Sequence, residues 1–174
     1  MREYEFIVEL NQIGYRAKNN EANFGSPITA QVVGGTHITF ELITKKGASF
    51  YMTRWPSGLP GHDDPPNALR FPHGLIQFGE TMEECASRLV SEQLGMRVKH
   101  VEIAYLESYV DDSNHWHIEP GCIVELSGEP KVPKLASDII SFRINDLPDM
   151  TFWTRSDFIE LIKERLPELV RKKK

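Results

Sequence analysis

Cysteine is nearly absent: Cys85 and Cys122 are the only two in 174 residues. A pair is too few for a disulfide framework, so both are expected to be small buried thiols in a reducing cytoplasm. Long apolar runs are missing as well. No stretch approaches the roughly 20 residues that cross a bilayer, so no membrane partner is expected. The opening MREYEFIVEL carries glutamates where a secretory signal would be apolar, which points to a cytoplasmic protein. Basic charge is not in excess: 20 Lys and Arg stand against 25 Asp and Glu, a net charge of −5. That balance argues against non-specific nucleic-acid binding. The terminal Arg171-Lys172-Lys173-Lys174 reads as a solvated end. Internal repeats, low-complexity segments and an interdomain linker are lacking too. What remains, at 40% hydrophobic and 26% charged residues, is an ordinary globular composition. One domain over residues 1–174 is expected, with residues 1–35 as an N-terminal strand and loop.

The chain is organised around Gly74 to Met96, GLIQFGETMEECASRLVSEQLGM. Gly74 and Gly79 punctuate an apolar run, as turns or close backbone approaches do. Thr81 starts a helix, and Glu84 three residues later completes a capping box. Gly95 stops it in the place of a left-handed cap. At roughly 100° per residue, Met82, Ala86, Leu89, Val90 and Gln93 share one face, with Cys85 and Leu94 at its margins. Glu84, Arg88 and Glu92 form a ladder beside it, which by periodicity alone reads as a solvated acid–base–acid stripe.

The full spacing of this segment resembles the Nudix box, G-x5-E-x7-R-E-U-x-E-E-x-G-U, where U is bulky and apolar. Gly74, Glu80, Arg88, Val90, Glu92 and Gly95-Met96 match it. Phe71-Pro72-His73 resembles the family's Pro-Gly-Gly entry, with His73 in place of a glycine. Phe142 to Pro148 resembles its strand followed by Leu-Pro. The resemblance spans roughly residues 36–165. It implies an α/β fold of the Nudix type: an α/β/α sandwich around a mixed central sheet. It also implies a small-molecule substrate, a nucleoside diphosphate linked to another moiety, and Mg²⁺ or Mn²⁺ if the chain is active. Two positions depart from the pattern. Leu89 and Gln93 stand where the family has glutamates, which leaves Glu92 as one carboxylate of three. Hard dications prefer anionic oxygen ligands, so the departures weaken this site specifically.

Elsewhere, Tyr4, Phe6, Val8 and Leu10 alternate as a half-buried strand. The N-terminal segment is a candidate for covering the sheet or for a homodimer contact. Thr36–Thr44 and Ala48–Trp55 read as a hairpin around Lys45-Lys46-Gly47, with Ile38, Phe40 and Leu42 on one face. Arg54 and Trp55 at its end are candidates for stacking on a base. Gln93 can offer a neutral carbonyl oxygen to substrate or metal. His62, Asp63 and Asp64 lie in an irregular loop leading into the box; they are candidate ligands, or simple turn residues. Arg97–Val110 and His115–Leu126 read as two long strands around a turn at Asp111 and Asp112, which are weaker acidic candidates. His115, His117 and Glu119 share one strand face. The histidine pair can chelate a transition metal or lie half-exposed near the turn. Glu119 is the candidate for a carboxylate recruited from outside the box. Ile139–Ile144 is a further strand. Phe158, Leu161, Ile162, Arg165 and Leu166 form the buried stripe of a last helix, ended or kinked by Pro167.

Two functions follow. One is a pyrophosphohydrolase in which Glu92, Glu80 and Glu119 hold the metal and Arg88 orients Glu92 and Glu80. The other is a module that binds a nucleotide or protein partner without cleavage, in which Arg88 and Glu80 only pin the loop before the helix.

Overall fold

The hairpin forms where the sequence places it. β1 (Thr36–Lys46) turns at Gly47, whose φ of +61° suits glycine, into β2 (Ser49–Trp55). The computed structural model describes residues 36–60, 64–77, 79–110, 116–146 and 148. The expected N-terminal strand and last helix lie outside them. Two short strands follow, β3 (Ala68–Arg70) and β4 (His73–Leu75). Helix α1 (Met82–Leu94) leads to the long strands β5 (Arg97–Val110) and β6 (Trp116–Ser127). β7 (Asp138–Phe142) is shorter than its apolar run suggests, because Ile144–Asp146 closes into a 3₁₀ turn.

The described strands make one mixed sheet in the order β3-β2-β1-β6-β5, with β4 on β1 and β7 on β2. β1 and β6 run parallel; the other pairs are antiparallel. Side chains alternate between the faces. Phe40, Leu42, Cys122, Val124 and Leu126 pack on Cys85, Ala86, Leu89, Val90 and Leu94 of α1. Ile43, Phe50, Met52, Leu69, Phe71 and Ile123 form a second core on the opposite face.

The ends of α1 are locally determined. The Glu84 N–H donates to Thr81 Oγ1 at 3.2 Å, and the Thr81 N–H donates to Glu84 Oε2 at 2.8 Å. Gly95 is left-handed at φ +62° and donates its N–H to the Ser91 carbonyl. Glu83 and Glu84 sit in the first turn, where the helix dipole favours acids. Among the described residues no helix is long and apolar enough to cross a membrane.

Candidate functional site

Arg88 is the hub of the segment before and along α1. Its Nε donates to Glu80 Oε1 at 2.6 Å, and its Nη2 donates to Glu80 Oε2 and to the Leu75 carbonyl, both at 2.9 Å. Glu80 Oε2 also accepts the Gln77 N–H at 2.7 Å. The fork therefore ties helix, loop and β4 together. Hydrogen bonding from Arg88 holds the Glu80 carboxyl below the usual carboxylate range, with the Gln77 N–H acting the same way. Glu92 lies one turn further on, 3.6 Å from Arg88 Nη1, with its side chain 57% exposed. The ladder expected from periodicity is thus mainly a brace between Arg88 and Glu80, with Glu92 at its open end.

Leu89 is buried and faces Gly74, where a Cβ would come within 2.7 Å of Leu89 Cδ2. A side chain at position 74 would displace the end of the Leu89 side chain. Gln93 is buried as well, and its amide pairs with both backbone polar groups of one residue, His73. Its Oε1 accepts the His73 N–H at 3.2 Å, and its Nε2 donates to the His73 carbonyl at 2.7 Å. A carboxylate in that position would accept the N–H but oppose the carbonyl, unless a cation lay between them. The amide supplies its own N–H instead.

The other face of the sheet carries a second group of polar side chains. Glu41 is fully buried on β1, opposite His73 of β4 in the register. The His73 N–H and carbonyl point to Gln93, so Glu41 and His73 are a non-hydrogen-bonded pair, the closer kind. Glu119, on β6, joins them: one ligand atom from each of the three lies within 4.8 Å of the others. Tyr109 Oη donates to Glu119 Oε2 at 3.0 Å, and the Tyr109 ring stacks on His117 at 4.7 Å. The Tyr105 ring lies across Gly121, where a Cβ would collide with it. Desolvation, with Glu119 nearby, pushes the Glu41 carboxyl well above the usual carboxylate range.

A cavity of about 260 Å³ opens beside α1, lined by Trp55, Leu59, Pro60, Glu92, Gln93, Pro133, Lys134 and Leu135. Trp55 is buried in its wall, and its indole N–H has no hydrogen-bond partner among the described residues. Arg54, one residue earlier and on the other face, pairs with Asp138 at 3.2 Å. Trp55 and Gln93 are thus brought to one cavity, and Arg54 is directed to β7.

The arrangement of strands and helix is shared with known proteins. A Nudix hydrolase from Nitrosomonas europaea superposes with a TM-score of 0.61 at 12% identity, over 76% of this chain and 90% of that one. The E. coli ORF135 protein superposes with a TM-score of 0.58 at 13% identity, over 80% and 95%. A MutT Nudix hydrolase from Burkholderia pseudomallei gives 0.54 at 17% identity, over 66% and 88%. The chain has the Nudix fold. No protein-family model matches its sequence.

Within that Nudix fold, the sequence-predicted residues separate. Glu80, Arg88 and Glu92 come together along α1. Glu119 faces the opposite side of the sheet, with Glu41 and His73. Asp64 accepts from Arg70 Nε at 2.7 Å and from the Leu59 N–H at 3.1 Å, and it also contacts Arg70 Nη2. It closes the loop before β3. His62, Asp63, Asp111, Asp112 and His115 lie outside the described residues. The box helix does not fit a hard dication: Leu89 offers no donor, Gln93 is bound to His73, Glu80 is bound to Arg88, and Glu92 alone is open. Glu41 and His73 escaped the sequence reading. Their signals were a glutamate in the middle of an apolar strand and a histidine in place of a glycine.

Proposed function

We propose that this chain binds a nucleotide derivative with the Nudix fold and uses its box helix as a structural brace in place of a magnesium cradle. The observation that carries this reading is the Gln93 amide on both the backbone N–H and the backbone carbonyl of His73. It supplies with a covalent N–H the bridge for which a carboxylate would need a cation. Leu89 supports the same reading by filling the neighbouring position with core. The cavity beside Glu92 and Gln93 is the binding site in this reading. Its walls are largely apolar, and Glu92, Gln93 and Lys134 are its polar residues. At about 260 Å³ it has room for one ring system or a diphosphate, with the rest of the ligand outside. A reducing cytoplasm suits the reading, since Cys85 and Cys122 are free buried thiols.

A second reading, metal-dependent pyrophosphate hydrolysis, is favoured by one feature: Glu92 is exposed and stays beside Arg88. One experiment separates the two. Dinucleotides, nucleotide sugars and nucleoside triphosphates are offered to the full chain with Mg²⁺, with Mn²⁺ and without either. Tryptophan fluorescence reports binding, and release of phosphate or nucleoside monophosphate reports cleavage. The expected outcome is saturable binding of one class that is unchanged by Mg²⁺, with no release above the blank. Release that needs Mg²⁺ or Mn²⁺ and vanishes in Glu92→Gln establishes the hydrolase instead.

A further inference from the structure

Glu41 is the most demanding side chain in the described protein. It is 0% exposed, and neither carboxylate oxygen has a hydrogen-bond partner among the described residues. A buried polar group without a partner is strongly unfavourable, and a buried carboxylate more so. Such a group calls for a cation or a proton. Its neighbours decide which. Glu119, 8% exposed, brings a second carboxylate to the same point. His73 brings an imidazole, with Nε2 at 4.0 Å from Glu41 Oε2. The Arg70 guanidinium is bonded to Asp64 and also favours a charged Glu41, but burial and Glu119 oppose that charge more strongly. A proton on Glu41 would relieve one oxygen and leave the convergence of three donors unexplained.

We infer that Glu41, His73 and Glu119 form a binding site for one divalent ion of the zinc or cobalt type, on the sheet face turned away from the box helix. The donor set is mixed, one nitrogen and two carboxylates. Imidazole suits such ions better than it suits magnesium or calcium. Donors bound to one ion at about 2.1 Å stand roughly 3–3.5 Å apart, so closing from 4.8 Å takes side-chain shifts on the order of 1 Å. Each ligand comes from a different strand, and all three strands are joined through β1. The backbone thus places them before any ion arrives. Tyr109 already holds one Glu119 oxygen, the kind of outer hydrogen bond that orients a ligating carboxylate. Three protein donors leave a fourth position for water. The site is independent of what the cavity beside Glu92 binds.

The test uses the full chain, stripped with a chelator, desalted, and titrated with Zn²⁺ and Co²⁺ by calorimetry. The expected result is binding of about one ion per chain, visible d–d absorption for the Co²⁺ form, and a raised melting temperature. Glu41→Gln and His73→Gln are each expected to abolish all three responses, while Glu92→Gln keeps them. Circular dichroism checks that each variant is folded. If Glu41→Gln fails to fold, His73→Gln decides, because the His73 backbone and not its side chain holds Gln93. A stripped chain that binds neither ion overturns the assignment. So does binding that survives His73→Gln, and so does binding that Glu92→Gln removes, which would put the ion on the box helix.

Discussion

Gln93 and Leu89 show at the scale of single residues how this protein differs from the pattern its sequence resembles. Gln93→Glu removes the Nε2 donor and sets a carboxylate against the His73 carbonyl. Without added metal it is expected to lower stability by about 1–3 kcal/mol, the penalty for a buried group that loses its partner. Denaturant unfolding with and without Mg²⁺ checks this, and an unchanged midpoint in both would remove the structural role given to Gln93. Gly74→Ala is expected to cost about 1–3 kcal/mol by overpacking against Leu89. Adding Leu89→Ala should recover part of the overpacking loss, and strictly additive losses would show that the two do not touch. The cysteines give a chemical test. Burial pushes both Cys85 and Cys122 up to about 12, so alkylation by iodoacetamide near pH 8 should be undetectable in the native chain and fast in denaturant. Both cysteines were legible as buried from composition alone. The partner of Gln93 was not, since His73 lies 20 positions away and is reached through its backbone.

The element of greatest consequence is α1 with the loop that feeds it. Its limits could be read from Thr81, Glu84 and Gly95, because capping is a contest among neighbours in sequence. Thr81→Ala is accordingly expected to cost about 1 kcal/mol, measured by chemical denaturation. The brace between Glu80 and Arg88 sets a pH dependence. The folded-state pKa of Glu80 is lowered, so its contribution to stability is present above the unfolded value of about 4.3 and is lost as pH falls through the folded value. The stability difference between wild type and Glu80→Gln should therefore be constant near neutrality and shrink below about pH 4.3. A difference that does not change across that range would mean the pair adds nothing. Trp55 and Arg54 teach the opposite lesson about elements. They are adjacent in sequence, yet strand alternation sends one to the cavity and the other to Asp138. They cannot form one stacking surface.

Across the whole molecule, two polar systems are divided by the sheet. Arg88, Glu80 and Glu92 lie with α1 on one side; Glu41, His73 and Glu119 lie on the other. Residue His73 belongs to both, giving its backbone to Gln93 and its ring to Glu41. The sequence by itself determined the helix and its caps, the hairpin, the long strands and the brace, because each depends on local spacing or on a short motif. It also determined that the box helix lacks two of its acids. Only the tertiary structure decided what replaced them: that Gln93 clamps the His73 backbone, that Leu89 lies against Gly74, and that Glu119 faces Glu41 across β1 and β6. Those pairings depend on strand order and register, and the parallel joining of β1 to β6 brings together residues 78 positions apart in the chain. No local pattern encodes such a meeting, since it follows from how the two cores are shared between the faces of one sheet.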